Sequence, residues 1–274
     1  MGGFHVLTNA GERLDMPQVR TIGLADLVDA LRRGWQDFWE RPSHLAFLGL
    51  IYPLCGAILA VWTSGNNSWP LLFPLVSGFA LVGPFLALPI YEMSRREELG
   101  LDTHWRAAFD VFRTPAFASI AALGVMMLIA FTVWLMVAQF IYEAHFGPGS
   151  PPTFAAFLNE VVSSPQGGSL MIWGNLIGFL FAAGILASMV VSIPLLLDRD
   201  VGAAVAVITS LRVTLKNPVT IAIWGLMVAA LLVLGAIPLL VGPAIVVPVL
   251  GHSTWHLYRK AVVPLDGTPS LTAR

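Results

Sequence analysis

All 15 basic side chains of this chain fall into four clusters, and long apolar runs separate the clusters. In order they are Arg13, Arg20, Arg32, Arg33 and Arg41; Arg95, Arg96, Arg106 and Arg113; Arg199, Arg212 and Lys216; and Arg259, Lys260 and Arg274. Charge at the centre of a bilayer is costly, and Lys and Arg of short loops stay on the cytoplasmic side. The clustering therefore predicts an even number of membrane spans with both termini cytoplasmic. Composition agrees: 57% of residues are hydrophobic and 11% charged, with a mean hydropathy of +0.77, whereas soluble domains carry roughly 25% charged residues. Residues 1–40 lack the apolar core of a cleavable signal, so the first span is expected to serve as the membrane signal.

About 20 mostly apolar residues make a span. By that measure the expected spans are 44–63, 70–93, 116–142, 170–197, 219–236 and 237–258, the last two joined by a tight turn at Gly235–Pro238. The expected fold class is all-α: a polytopic membrane protein of six transmembrane helices, paired as three helical hairpins. Residues 1–20 read as a flexible cytoplasmic N-terminus, 21–263 as one membrane domain and 264–274 as a cytoplasmic tail.

A polar-apolar segment ending in a proline precedes each hairpin. In the first, Leu24, Leu27, Val28, Leu31, Trp35, Phe38 and Trp39 share a helical face. Asp26, Asp29, Arg32, Arg33, Asp37 and Glu40 take the other side. That pattern predicts an amphipathic helix lying on the cytoplasmic leaflet, with Trp35 and Trp39 against lipid or a partner. THWRAAFDVFRTP and VGAAVAVITSLRVTLKNP are its counterparts, and Pro42, Pro115 and Pro218 mark the three entries.

The return spans also match one another: LVGPFLALP with Gly83, Pro84 and Pro89, LASMVVSIP with Pro194, and LVGPAIVVP with Gly242, Pro243 and Pro248. Three units, about 21–95, 101–199 and 200–260, run in one direction through the membrane. A proline removes a backbone donor wherever it sits in a helix. These positions are therefore kinks, and carbonyls freed near Gly78, Ala80 and Leu239 are candidates to line a cavity. Between the third and fourth spans, Phe154, Phe157, Leu158 and Val161 predict a short helix on the outer face, either a lid over apolar surface or a docking site.

Polar side chains within the spans, among them Ser77, Asn175 and Ser192, suit helix-to-helix hydrogen bonding better than chemistry. No ionisable residue lies deep in a span. His252 and His256, four apart on one helix face, are the weak candidates for a metal or haem; without an HExxH-type motif the spacing is unspecific. Arg95 and Arg96 stand near Glu92 at helical spacing and are candidates to hold an anionic lipid or a partner. Cys55 is alone, which excludes an intramolecular disulfide. There is no nucleophile elbow, no phosphate-binding glycine loop and no basic groove for nucleic acid, so neither an enzyme nor a cofactor is expected.

GWQDFWERPSHLAFLGLIYP and, above all, GFALVGPFLALPIYEMSRREELG resemble a family of bacterial integral membrane proteins catalogued as a domain of unknown function. The resemblance covers about Thr21 to Val263. It implies the bacterial inner membrane and the six-span layout, and transfers no catalytic residue. Members are sometimes labelled as relatives of cytochrome c oxidase subunit I, whose metal-binding histidines lie mid-span; no histidine does so here. Three readings remain: a non-enzymatic accessory, scaffold or assembly component contacting other membrane subunits; a small-solute or lipid permease; and a metal or haem protein.

Overall fold

Proline decides where many helices of this chain begin. The computed structural model describes residues 16–40, 56, 69–104, 107–237 and 241–264. They form α1 (Leu24–Glu40), α2 (Leu72–Phe79), α3 (Gly83–Leu86), α4 (Leu88–Glu98), α5 (Phe117–Phe146), α6 (Phe154–Ser163), α7 (Pro165–Met189), α8 (Ser192–Asp198), α9 (Ala203–Lys216), α10 (Pro218–Ala236) and α11 (Val241–Ala261). Short 3-10 turns occupy Trp69–Leu71, Ala80–Val82 and Ala107–Arg113. Strand pairing among the described residues is limited to one antiparallel bridge, Val19 with Val262.

A proline ring inside a helix clashes with the carbonyl four residues back. The helical course changes at those positions: at Ala80–Val82 ahead of Pro84, near Ala87 ahead of Pro89, and at Val190 ahead of Pro194. Each of these prolines then sits in the first turn of the next helix, where its missing donor costs little. Pro165 and Pro218 open α7 and α10 in the same way. Pro248 is the exception, lying inside an unbroken α11.

Among the described residues three stretches are long and apolar enough to cross a membrane: Phe117–Phe146, Pro165–Asp198 and Pro218–Ala236. At 1.5 Å per residue α5 alone is about 45 Å long, against a hydrocarbon core of roughly 30 Å. The other expected spans differ from them. Span 44–63 falls outside the described residues except for Gly56. Span 70–93 is broken into short helices, and the C-terminal half of α11 carries His252, Ser253 and His256.

The chain divides into two compact units: Met1–Leu50, Pro84–Gly124 and Leu186–Arg274 form the first, Ile51–Gly83 and Val125–Ile185 the second. In the first unit α11 is the spine, and α1 lies along it. The two run antiparallel: Lys260 pairs with Asp29 at 2.8 Å, while Gly34 faces Val249 and Ser253. Leu27, Ala30, Gly34 and Phe38 are the buried residues of α1, and burying Leu27 and Phe38 contributes about 1.5–3 kcal/mol each. A Cβ at Gly34 would lie 2.6 Å from Ser253 N and 2.7 Å from Val249 O, so only glycine permits this approach.

The ends of α4, α8 and α11 pack against one another. Each carries an outer segment: Ala107–Arg113 on α4, α9 on α8 and α1 on α11. α10 and α11 cross at two glycines, because a Cβ on Gly242 would lie 2.8 Å from Gly235 Cα.

Residues 18–22 form an extended strap. Arg20 N donates to Ala261 O at 2.7 Å, and Val263 N to Gln18 O at 2.9 Å. Asn217 Oδ1 accepts from Ile22 N at 2.9 Å, and its Nδ2 donates to Arg20 O at 3.0 Å. Gln18, Val19 and Arg20 are thus tied down, although the sequence assigns them to a flexible terminus; partners some 200 residues away leave no local trace.

In the second unit Leu81, Trp134 and Ala138 form a core with Phe131, Leu135, Ile177 and Phe181 around it. Trp134 Nε1 donates to Pro74 O at 2.9 Å, using a carbonyl in the broken helical stretch. α6 forms as the sequence expects. Thr153 caps it by accepting from Ala156 N at 3.2 Å, Val161 is buried, and the Phe154 ring centroid lies 5.9 Å from that of Trp69.

Candidate functional site

The candidate site is a buried polar junction in the first unit, where α4, α8 and α11 end. Each helix carries a charge in its last turn: Glu98, Asp198 and Arg259. The Arg259 side chain is only 6% exposed, Glu98 9% and Asp198 15%. Charges that far from water survive only when paired and hydrogen-bonded. Arg259 Nε donates to both Glu98 oxygens, at 2.9 and 3.0 Å, and its Nη2 also donates to Glu98. Nη1 reaches Asp198 Oδ2 at 3.2 Å. Trp255 Nε1 adds a bond to Glu98 at 3.1 Å, and its ring lies 6.0 Å from the Arg259 guanidinium carbon. Tyr258 OH donates to Asp198 at 2.5 Å and Arg199 Nε donates to it at 3.2 Å. Arg199 also donates to Val263 O. Two guanidinium groups and two carboxylates thus neutralise one another, and the three helix ends are clasped together.

One turn deeper, Ser94 Oγ of α4 lies 2.6 Å from Nδ1 of His252, which is completely buried. Asp37 of α1 approaches from the side: its Oδ2 accepts from His256 Nε2 at 2.7 Å and is 3.7 Å from His252 Nδ1. Farther along α11, Lys260 pairs with Asp29 and, at 3.4 Å, with Asp26. The hydrogen bond from Lys260 holds the Asp29 carboxyl below its ordinary range; desolvation opposes this, and the charges of Lys260 and Arg33 reinforce it.

The residues singled out in the sequence scatter in role. Arg95 and Arg96 are engaged within the protein. Arg95 grips Glu92 at 2.8 and 3.0 Å, and Arg96 reaches Glu92, Asp110 and the carbonyl of Asp102. Trp35 and Trp39 are exposed at 47% and 61%. Their ring centroids are 5.7 Å apart. Gly83 opens α3 with no atom within 4 Å of an added Cβ, whereas Gly242 is pressed against Gly235. The two motifs that look alike in sequence therefore sit in unlike surroundings. Pro84, Pro89, Pro194 and Pro243 lie in first turns and Pro248 in a helix interior. His252 and His256 both face Asp37, and no group of three or more His, Cys, Asp or Glu able to hold a metal occurs among the described residues. Leu239 and Cys55 lie outside them.

The spacing of Glu92, Arg95 and Arg96 announces their pairing, which forms, but sequence reasoning missed that the Glu92 side chain is buried, only 1% exposed. It also missed the clasp. The available signal was that each proline-marked return is followed closely by a charge, with the sign reversed in the third.

A cavity of about 260 Å³ lies in the second unit, lined by Ser77, Gly78, Trp134, Asn175 and Gly178 among others. Ser77 Oγ and Asn175 Nδ2 already donate to carbonyls of their own helices, Pro74 O and Met171 O. The wall is otherwise apolar.

Residues 72–198 match the model of a family described as predicted integral membrane protein (DUF2189). No curated protein and no solved structure matches the chain.

Proposed function

We propose, from the premise that the chain is an integral membrane protein of the DUF2189 family, that it is a non-enzymatic accessory, scaffold or assembly component of a larger complex in the bacterial inner membrane. Its six spans are three hairpins with both termini cytoplasmic, and each hairpin is preceded by a segment lying at the cytoplasmic membrane surface. One observation carries this reading: at the junction of α4, α8 and α11 the buried charges are spent on one another. Arg259 is paired with both Glu98 and Asp198, so the centre of the first unit is a clasp rather than a reactive site. The cyclic order of packing, with each outer segment on the return end of a different hairpin, supports the three-unit layout. It also leaves the outer faces of those segments as docking area.

Purification in a gentle detergent followed by native mass measurement tests the proposal. A second polypeptide at fixed stoichiometry is expected; a stable monomer alone overturns it. A permease is the second reading, favoured by the cavity beside Gly78. Solute flux into proteoliposomes that Gly174→Leu abolishes would support it, since Gly174 lines that cavity and a Cβ there meets nothing within 4 Å.

A further inference from the structure

The apolar face of α1 is divided. At 100° per residue, the buried residues Leu27, Ala30, Gly34 and Phe38 form one stripe, turned toward α11. Leu24, Val28, Trp35 and Trp39 form a second stripe roughly 100° around the helix, and these are 47–61% exposed. Arg32, also exposed, borders that second stripe on the side away from α11. α9 also divides its apolar residues between a buried and an exposed stripe. Val205, Ala206, Thr209 and Val213 are buried, while Ile208, Leu211 and Leu215 are exposed at 40%, 38% and 79%. Exposed Arg212 borders those three.

Most other basic side chains described in the first unit are committed. Arg33 holds Asp29, Arg95 and Arg96 hold Glu92, Arg199 and Arg259 hold Asp198, and Lys260 holds Asp29. The side chains of Arg32 and Arg212 take part in no ion pair or hydrogen bond among the described residues. An apolar stripe edged by an uncommitted arginine is what a headgroup layer accommodates: the stripe enters the acyl boundary and the guanidinium stays with the phosphates.

We infer that α1 and α9 are binding surfaces for anionic phospholipid, with Arg32 and Arg212 as the phosphate contacts, in place of the Arg95 and Arg96 that the sequence suggests. The occupant is lipid, because the chain is an integral membrane protein and both stripes belong to helices directly connected to, or packed on, its membrane-type helices. Charge fixes the headgroup class: a cation on an apolar face favours phosphatidylglycerol-type over zwitterionic lipid by about fivefold per arginine near the surface. The inference rests on the surface placement of these segments proposed above.

The test uses the full chain in vesicles of phosphatidylcholine with one-fifth phosphatidylglycerol, bromine being placed on the acyl chains of either lipid at equal total amount. The contribution of Trp35 and Trp39 is obtained by subtracting the W35F/W39F variant; Leu215→Trp supplies a reporter on α9. Brominated phosphatidylglycerol is expected to quench these reporters more strongly than its share predicts. Arg32→Gln should lower that preference about fivefold at α1 and Arg212→Gln at α9, and raised salt should weaken it in the wild type. Equal quenching by the two lipids, or a preference untouched by the arginine variants, overturns the inference and leaves the surface placement standing. No quenching by either lipid overturns both.

Discussion

Replacing Arg259 by alanine removes every bond that joins α11 to Glu98 and Asp198 through the guanidinium, and the two carboxylates do not suffer equally. Asp198 keeps Tyr258 OH and Arg199 Nε as donors. Glu98 keeps, among the described residues, only Trp255 Nε1 at 3.1 Å, with its side chain 9% exposed. Removing one partner of a buried ion pair costs about 3–5 kcal/mol, chiefly because a charge is left without compensation. Most of that cost should therefore fall on Glu98. Adding Glu98→Gln to Arg259→Ala should recover the larger part, since it discharges the stranded group, while adding Asp198→Asn should recover little. Equilibrium unfolding of the four proteins in mixed micelles of increasing denaturing detergent gives the comparison. An Arg259→Ala variant within about 1 kcal/mol of wild type, the range of an ordinary surface change, refutes the clasp. Recovery by Asp198→Asn instead of Glu98→Gln refutes the division of labour.

Two further outcomes follow from α1. Gly34→Leu forces side-chain atoms against Val249 O and Ser253 N; overpacking of this kind costs about 1–3 kcal/mol, and amide exchange over Leu24–Glu40 should accelerate while that of α5 stays unchanged. The Asp29 carboxyl is lowered in the folded protein from 3.8, so its contribution is complete above about pH 4, where the unfolded chain is also ionised, and is lost as pH falls through the folded value. Unfolding midpoints should fall on acidification below about pH 4, and Asp29→Asn should flatten that part of the profile.

The long helices were legible because nothing competes with them. An uncharged run from Thr114 to Tyr142 becomes most of α5, and 219–236 becomes α10. The amphipathic helix before Pro42 is legible from its period, which by itself joins the apolar residues into one face. Leu27 and Phe38 go to α11 while Trp35 and Trp39 stay exposed, a division that depends on a neighbour more than 200 residues away. The prolines of LVGPFLALP announced disturbance, yet not that the run would become several short helices, because steric conflict between Pro84 or Pro89 and a carbonyl can be relieved by bending or by restarting. Pro248 shows the other outcome in similar text. The clasp was hidden for another reason. Glu98, Asp198 and Arg259 each looked like the flank of a separate span, and only their packing reveals that flanks of opposite sign meet.

The contact of α1 with α11 in the membrane-embedded protein can be tested directly on the chain's own residues. Lys260 Nζ is 2.8 Å from Asp29 and 3.4 Å from Asp26, while Lys216, the other lysine, donates to the carbonyl of Val19. A zero-length carbodiimide treatment of native membranes, followed by proteolysis and mass spectrometry, should yield an amide linking Lys260 to Asp29 or Asp26. A peptide map in which Lys260 reacts with neither, under conditions where other carboxylates are activated, contradicts the account.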